Sequence, residues 1–258
     1  MIPLKDNIPT RVFPIVTVVI ILINLVVYFG LEKGGLSDVG NQKAVIEYSF
    51  IPYELSHQGK ECAQVGNQIA CGTKPELRSV GADTKQPNVF LTIFSAMFMH
   101  GSLLHIAGNM LFLWIFGNNI EDAMGRLKFI GFYLGGGIAA ALTQFAIGTN
   151  SVTPTLGASG AIAAVLGAYA LLYPRARVIT LIFIIFFITV IELPALVVLG
   201  VWFILQLVDA TSQSLGHGGG TVAYFAHIGG FLFGLLTVKL LASRYDPDYD
   251  RHNRLPVY

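Results

Sequence analysis

Apolar residues in this chain fall into long blocks separated by polar stretches, and block length is the informative pattern. Val12 to Gly30 reads as a membrane-spanning helix, with Pro14 tolerated in its opening turn. It is longer than the 7–15 apolar residues typical of a cleavable signal, and no Ala-x-Ala site follows it. Leu31 to Asn88 is polar and rich in Gly, Pro and Asn, which predicts a long connecting loop. A second block starts near Phe90, with its uninterrupted apolar part at Leu103 to Phe116. Gly117 to Lys128 is polar again. The third block is Phe129 to Ile147, and a polar turn, Gly148 to Thr155, leads to a fourth that ends near Tyr173.

The next block, Val178 to Val208, decides the topology. As helix it would be roughly 46 Å long, against about 60 Å for two crossings. It therefore holds one span, from Pro194 onward with Pro194 in the first turn. Val178 to Ile191 should lie along the interface or pack against the bundle. Val222 to Ala242 completes six spans, with both termini on one side. That side collects Lys5, Arg11, Arg126, Lys128, Arg175, Arg177, Lys239, Arg244, Arg251 and Arg254, while the loops Gly148 to Thr155 and Ser212 to Thr221 carry no Lys or Arg. The bias makes the termini cytoplasmic. The expected organisation is a cytoplasmic N-terminus (1–11), one membrane domain (12–242) with a long outer loop (31–89), and a cytoplasmic tail (243–258).

Composition agrees with the blocks. Hydrophobic residues make up 54% and charged residues 12% of 258, where soluble domains carry about 25% charged. A net charge of +1 with scattered basic residues gives no sign of a nucleic-acid partner.

Polar residues inside apolar blocks need a reason. Ser159 heads the fourth span in Gly157-Ala158-Ser159-Gly160, His227 heads the sixth, and His105 with Asn109 heads the second. Helix rise places all three heads at similar depth, some 9–12 Å below the outer edge. A seven-span chain would put His227 on the opposite face. Small neighbours clear space for a substrate backbone at Ser159, and a helix N-terminus offers free N–H groups to a developing oxyanion. The same small residues also suit close helix packing. His227 has the chemistry of a general base for Ser159, with Gly229, Gly230 and Gly234 smoothing its approach to the fourth span. His105 and Asn109, one turn apart, can donate to an oxyanion. Neither a metal nor another cofactor is expected, since no HExxH and no carboxylate cluster lies at that depth. No acid accompanies the pair, because Glu121 and Asp122 fall on the inner side, Asp209 lies near the outer end of span five, and Glu192 lies near the inner surface. Packing is left to orient His227. His57, His217 and His252 sit in polar segments.

These residues resemble the rhomboid intramembrane serine proteases. The resemblance rests on Met99-His100-Gly101-Ser102-Leu103-Leu104-His105-Ile106-Ala107-Gly108-Asn109, Glu121-x-x-x-Gly125-x-x-x-Phe129, Gly157-Ala158-Ser159-Gly160 with Gly167, and Ala226-His227-x-x-Gly230. It implies an all-α, six-span rhomboid-like bundle that cleaves single-span or other membrane proteins in or beside their spanning segments. It also implies a Ser159–His227 dyad, an oxyanion hole from His105, Asn109 and the Ser159 N–H, and a supporting role for His100. The first loop lacks the Trp-Arg pair of some members, and Ala163 stands where some place a tyrosine against the catalytic histidine. The loop Ser214 to Gly220 takes the place of the family's cap. Cys62 and Cys71, on the outer side, could close a small ring worth roughly 2–3 kcal/mol by loop entropy. The expected residence is the cell (plasma or inner) membrane. The rival readings are an inactive relative that binds and escorts membrane proteins, and a transporter or channel.

Overall fold

A computed structural model describes residues 2–35, 38–66, 68–82, 84–184, 187–214 and 223–244. The cap loop from Leu215 to Gly220, with His217, and the tail with Arg251, His252 and Arg254 lie outside the described residues. Among those described, four helices are long and apolar enough to cross a membrane: Leu103–Met124, Arg126–Ile147, Ala195–Ser212 and Tyr224–Leu241. Ile15–Leu31, Val89–Phe98 and Ser159–Leu172 are shorter apolar helices. The chain is a mostly helical integral membrane protein.

Strand β1 (Ile2–Asp6) precedes helix α1 (Ile15–Val26), which runs on as a wide π turn over Val27–Leu31. Pro14 stands one residue ahead of α1 rather than inside it. The long polar stretch is folded. It holds α2 (Asp38–Tyr48), α3 (Pro52–Ser56), the antiparallel pair β2 (Glu61–Val65) and β3 (Gln68–Gly72), and α4 (Lys74–Ser79). Cys62 and Cys71 face each other across β2 and β3 and form a disulfide. The Glu54 carboxylate accepts the Cys62 N–H at 2.8 Å, and burial pushes its carboxyl up to about 7. Phe50 pairs with Thr155 by two backbone hydrogen bonds, 2.8 and 3.0 Å, so this polar unit grips the segment that leads to Ser159.

After α5 (Val89–Ser95), the second span is longer than its apolar part suggests. It runs through α6 (Leu103–Phe112), a π turn over Leu113–Gly117 and α7 (Asn118–Met124). The polar end of this helix, Gly117 to Met124, lies outside the apolar run. It stays helical because its buried side chains find partners in the N-terminal segment. Glu121 accepts the Val16 N–H, the Thr17 N–H and the Thr17 hydroxyl at 2.7–3.0 Å, at the free N-terminus of α1. Asp122 pairs with Arg11 at 3.0 Å. Gly125, at φ 81°, then breaks the helix before α8 (Arg126–Ile147).

The all-α expectation is corrected. After α9 (Ser159–Leu172), the block Val178 to Ile191 forms neither a span nor an interfacial helix. It folds as β4 (Arg177–Ile184) and β5 (Phe187–Pro194), in an antiparallel sheet ordered β1-β4-β5. Its Val, Ile and Thr side chains are branched at Cβ and suit a pleated surface better than a helix. Pro194 ends this edge strand instead of opening the next helix, and α10 (Ala195–Ser214) begins one residue later. The last helix is α11 (Tyr224–Leu241).

Helix α9 is the axis of the bundle, with most of its residues buried. Helix α11 approaches it closely enough that a Cβ on Gly230 would sit 2.1 Å from the Gly160 carbonyl oxygen, and one on Gly234 would sit 2.0 Å from that of Ala164. Gly229 does not share this face, since its Cβ would meet Thr143 on α8 at 2.1 Å. Only two of the three glycines expected to face the fourth span do so.

Candidate active site

Three helix starts converge on one cavity of about 710 Å³, lined among others by His105, Asn109, Gly157, Ser159, Trp202 and His227. Ser159 is the first residue of α9, so the N–H groups at its start have no helical acceptor. Its hydroxyl lies 2.7 Å from His227 Nε2. The close α9–α11 packing sets this distance, because both side chains leave helices whose facing positions are glycine and alanine.

Gly157 explains the clearance in front of the hydroxyl. Its φ of 120° is a conformation that side-chain-bearing residues rarely adopt. A Cβ there would also meet His105 Nε2 at 2.9 Å and Ser159 Oγ at 3.4 Å. The space between donor and hydroxyl is open because position 157 has no side chain. The Gly157 N–H is held by the Ala96 carbonyl at 2.8 Å, which fixes the turn.

His105 and Asn109 share one face of α6, and Ser102 caps the start of that helix by accepting the His105 N–H at 3.2 Å. His100 is fully buried behind them. Its own N–H donates to the Glu32 carboxyl at 2.8 Å, and its Nδ1 faces the Phe98 carbonyl at 3.3 Å. A carbonyl only accepts, so Nδ1 carries the proton and Nε2 accepts from the Asn109 amide at 2.9 Å. The His100 ring also sits edge-on to His105, centroids 5.0 Å apart. It therefore orients both candidate donors.

All the residues singled out in the sequence, Ser159, His227, His105, Asn109, Gly157 and His100, meet in this region. One was missed. Gln206 on α10 places its side-chain oxygen 2.6 Å from His227 Nδ1. His227, left to packing in the sequence, has a side-chain partner. Trp202, one turn earlier, sets its ring beside the imidazole at 5.9 Å. The signal was available, because Gln206 is the one amide in the apolar block Val178 to Val208.

The sequence profile of the Rhomboid domain matches residues 87–244, more than half of the chain. The chain belongs to the rhomboid family. That family generally comprises intramembrane serine proteases. It is 30% identical over 155 residues to Rhomboid protein 1, mitochondrial, of Saccharomyces cerevisiae, covering 57% of this chain and 40% of that protein. It is 34% identical over 148 residues to Presenilin-associated rhomboid-like protein A, mitochondrial, of Danio rerio, covering 56% and 36%. The human Presenilin-associated rhomboid-like protein, mitochondrial, is 32% identical over 140 residues, covering 54% and 34%. The matched stretch spans 40% or less of the length of these relatives. Their names place those rhomboid proteins in mitochondria, which disagrees with the cell membrane expected for this chain.

Proposed function

We propose that this rhomboid-family chain is an intramembrane serine endopeptidase acting on membrane-anchored proteins. The observation that carries the reading is the 2.7 Å contact between Ser159 Oγ and His227 Nε2 at the floor of a cavity that also holds His105 and Asn109. In this reading six helices cross the membrane, Ile15–Leu31 and Ser159–Leu172 together with the four long ones. Both termini then lie on the Lys- and Arg-rich side, taken as cytoplasmic. Helix α9 is about 20 Å long against about 30 Å of hydrocarbon, so Ser159 sits below the opposite surface, where water reaches it only through the cavity.

In the first half-reaction Ser159 Oγ attacks the scissile carbonyl carbon while His227 Nε2 takes the hydroxyl proton. The oxygen of the tetrahedral intermediate turns toward the Ser159 N–H, the His105 ring and the Asn109 amide. Collapse breaks the C–N bond, and His227 hands its proton to the leaving amine. The acyl group stays on Ser159. In the second half-reaction His227 takes a proton from water, the resulting hydroxide attacks the acyl carbon, and the proton returns to Ser159 as the acid product leaves. Two residues of opposite role suffice, with no cofactor in any step. The escort alternative has no use for an intact serine–histidine contact.

The test is incubation of purified protein in detergent with single-span reporter proteins. The wild type should release two fragments and Ser159→Ala none. Equal cleavage by Ser159→Ala would end the reading.

A further inference from the structure

Helix α10 raises a question that the dyad alone does not answer. Gln206 is 9% exposed in an apolar helix, and a buried amide costs free energy unless both of its ends are bonded. Its two ends are. The amide nitrogen faces the Trp202 carbonyl at 3.4 Å, within the same helix, and the amide oxygen faces His227 Nδ1 at 2.6 Å.

The orientation of that amide follows from its partners. The Trp202 carbonyl can only accept, so the NH2 must point at it and the oxygen must point at the imidazole. An oxygen there requires a proton on His227 Nδ1. That in turn leaves Nε2 with its lone pair free, facing Ser159 Oγ at 2.7 Å. A flipped amide would set oxygen against oxygen at Trp202. It would also donate to Nδ1 and drive the imidazole proton onto Nε2, where His227 could not accept from Ser159.

We infer that Gln206 is a positioning residue that holds His227 in the Nδ1–H tautomer and aims its free nitrogen at Ser159, the task a third carboxylate performs in triad hydrolases. The inference rests on the proposed proteolytic reading and deepens it. A neutral acceptor suits this place because a carboxylate sunk among apolar side chains carries a large desolvation cost. Here α10 supplies both supports one turn apart, with the Trp202 ring beside the imidazole and the Gln206 oxygen at its far nitrogen.

The test compares Gln206→Leu, which keeps bulk and loses the acceptor, with Gln206→Glu, whose carboxyl, kept neutral by its apolar surroundings, donates its O–H to the Trp202 carbonyl and keeps the C=O acceptor toward His227. Steady-state cleavage of a single-span reporter is measured in detergent alongside wild type and Ser159→Ala. The expected result for Gln206→Leu is a kcat lower by at least about tenfold with KM within about twofold of wild type. Gln206→Glu should return kcat to within about threefold of wild type. If Gln206→Leu does not purify as folded protein, Gln206→Met takes its place with the same expectation. Wild-type kcat in the Leu or Met variant overturns the inference. Equal loss in the acceptor and non-acceptor variants also overturns it, since packing would then explain the effect. Cleavage that survives Ser159→Ala instead overturns the proteolytic reading itself, so the two failures are distinct.

Discussion

Both ends of the helical bundle bury polar side chains, and they use them in opposite ways. At the end where α1 begins, every named acceptor is turned toward protein. Glu121 takes three donors from Val16 and Thr17, Asp6 takes the Tyr169 hydroxyl at 2.6 Å and the Asn119 amide at 2.7 Å, and Asp122 pairs with Arg11. At the end where α9 begins, Ser159, His105 and Asn109 border a cavity. A polar group away from water is either closed off by partners or held open for work. The first end ties the N-terminal segment to the bundle, and the second keeps reactive groups available. Loss of a residue at the closed end should therefore cost stability, and loss at the open end should cost turnover.

The largest effect is expected at the open end. His227→Ala should lower kcat on a membrane-anchored reporter by about 10⁴-fold or more, with the unfolding midpoint little changed. A comparable drop in stability would contradict the division between the two ends. Asn109→Ala comes next, with kcat lower by roughly 10²- to 10³-fold because one donor is lost while others remain. Steady-state kinetics with matched thermal unfolding check both.

The closed end should reverse the pattern. Glu121→Ala leaves the first N–H groups of α1 without their carboxylate and should destabilise the protein by about 1–3 kcal/mol. Its kcat per folded molecule should stay within about twofold of wild type. Denaturant titration beside active-site counting separates the two quantities.

The smallest effect is a pH dependence of stability at the same end. Burial, only partly offset by the bonds from Tyr169 and Asn119, pushes the Asp6 carboxyl up from 3.8 to about 7. The folded protein then holds a proton that the unfolded chain releases. This contribution is full below the unfolded value near 4 and is lost as pH rises through about 7. Asp6→Asn should flatten that slope in unfolding midpoints measured from pH 4 to 8. A slope that survives the substitution would assign the effect elsewhere.

The open end was far more legible in the sequence than the closed one. Ser159, His227, His105 and Asn109 stand out because each interrupts an apolar run near its head, and their common depth follows from helix rise alone. Gln206 obeys the same logic but lies mid-span, where no companion motif draws the eye. Glu121 and Asp122 read only as polar residues on the inner side, because their partners, Arg11 to Thr17, lie more than a hundred residues away, beyond any local pattern. The length of Val178 to Ile191 rules out a second crossing and leaves it along the interface or against the bundle, without fixing its local conformation. Its β-branched content was the unused clue. The polar unit between α1 and α5 offered no period to read. Its fold depends on pairings such as Cys62 with Cys71 and Phe50 with Thr155 that close over distance.

The most direct test of the central claim, that Ser159 is made nucleophilic by His227, is reaction with a fluorophosphonate probe in detergent, read by intact mass and peptide mapping. The wild type should gain one adduct, mapped to Ser159, and His227→Ala should gain none on the same timescale. Labelling that proceeds equally in His227→Ala, or that maps to another residue, would contradict it.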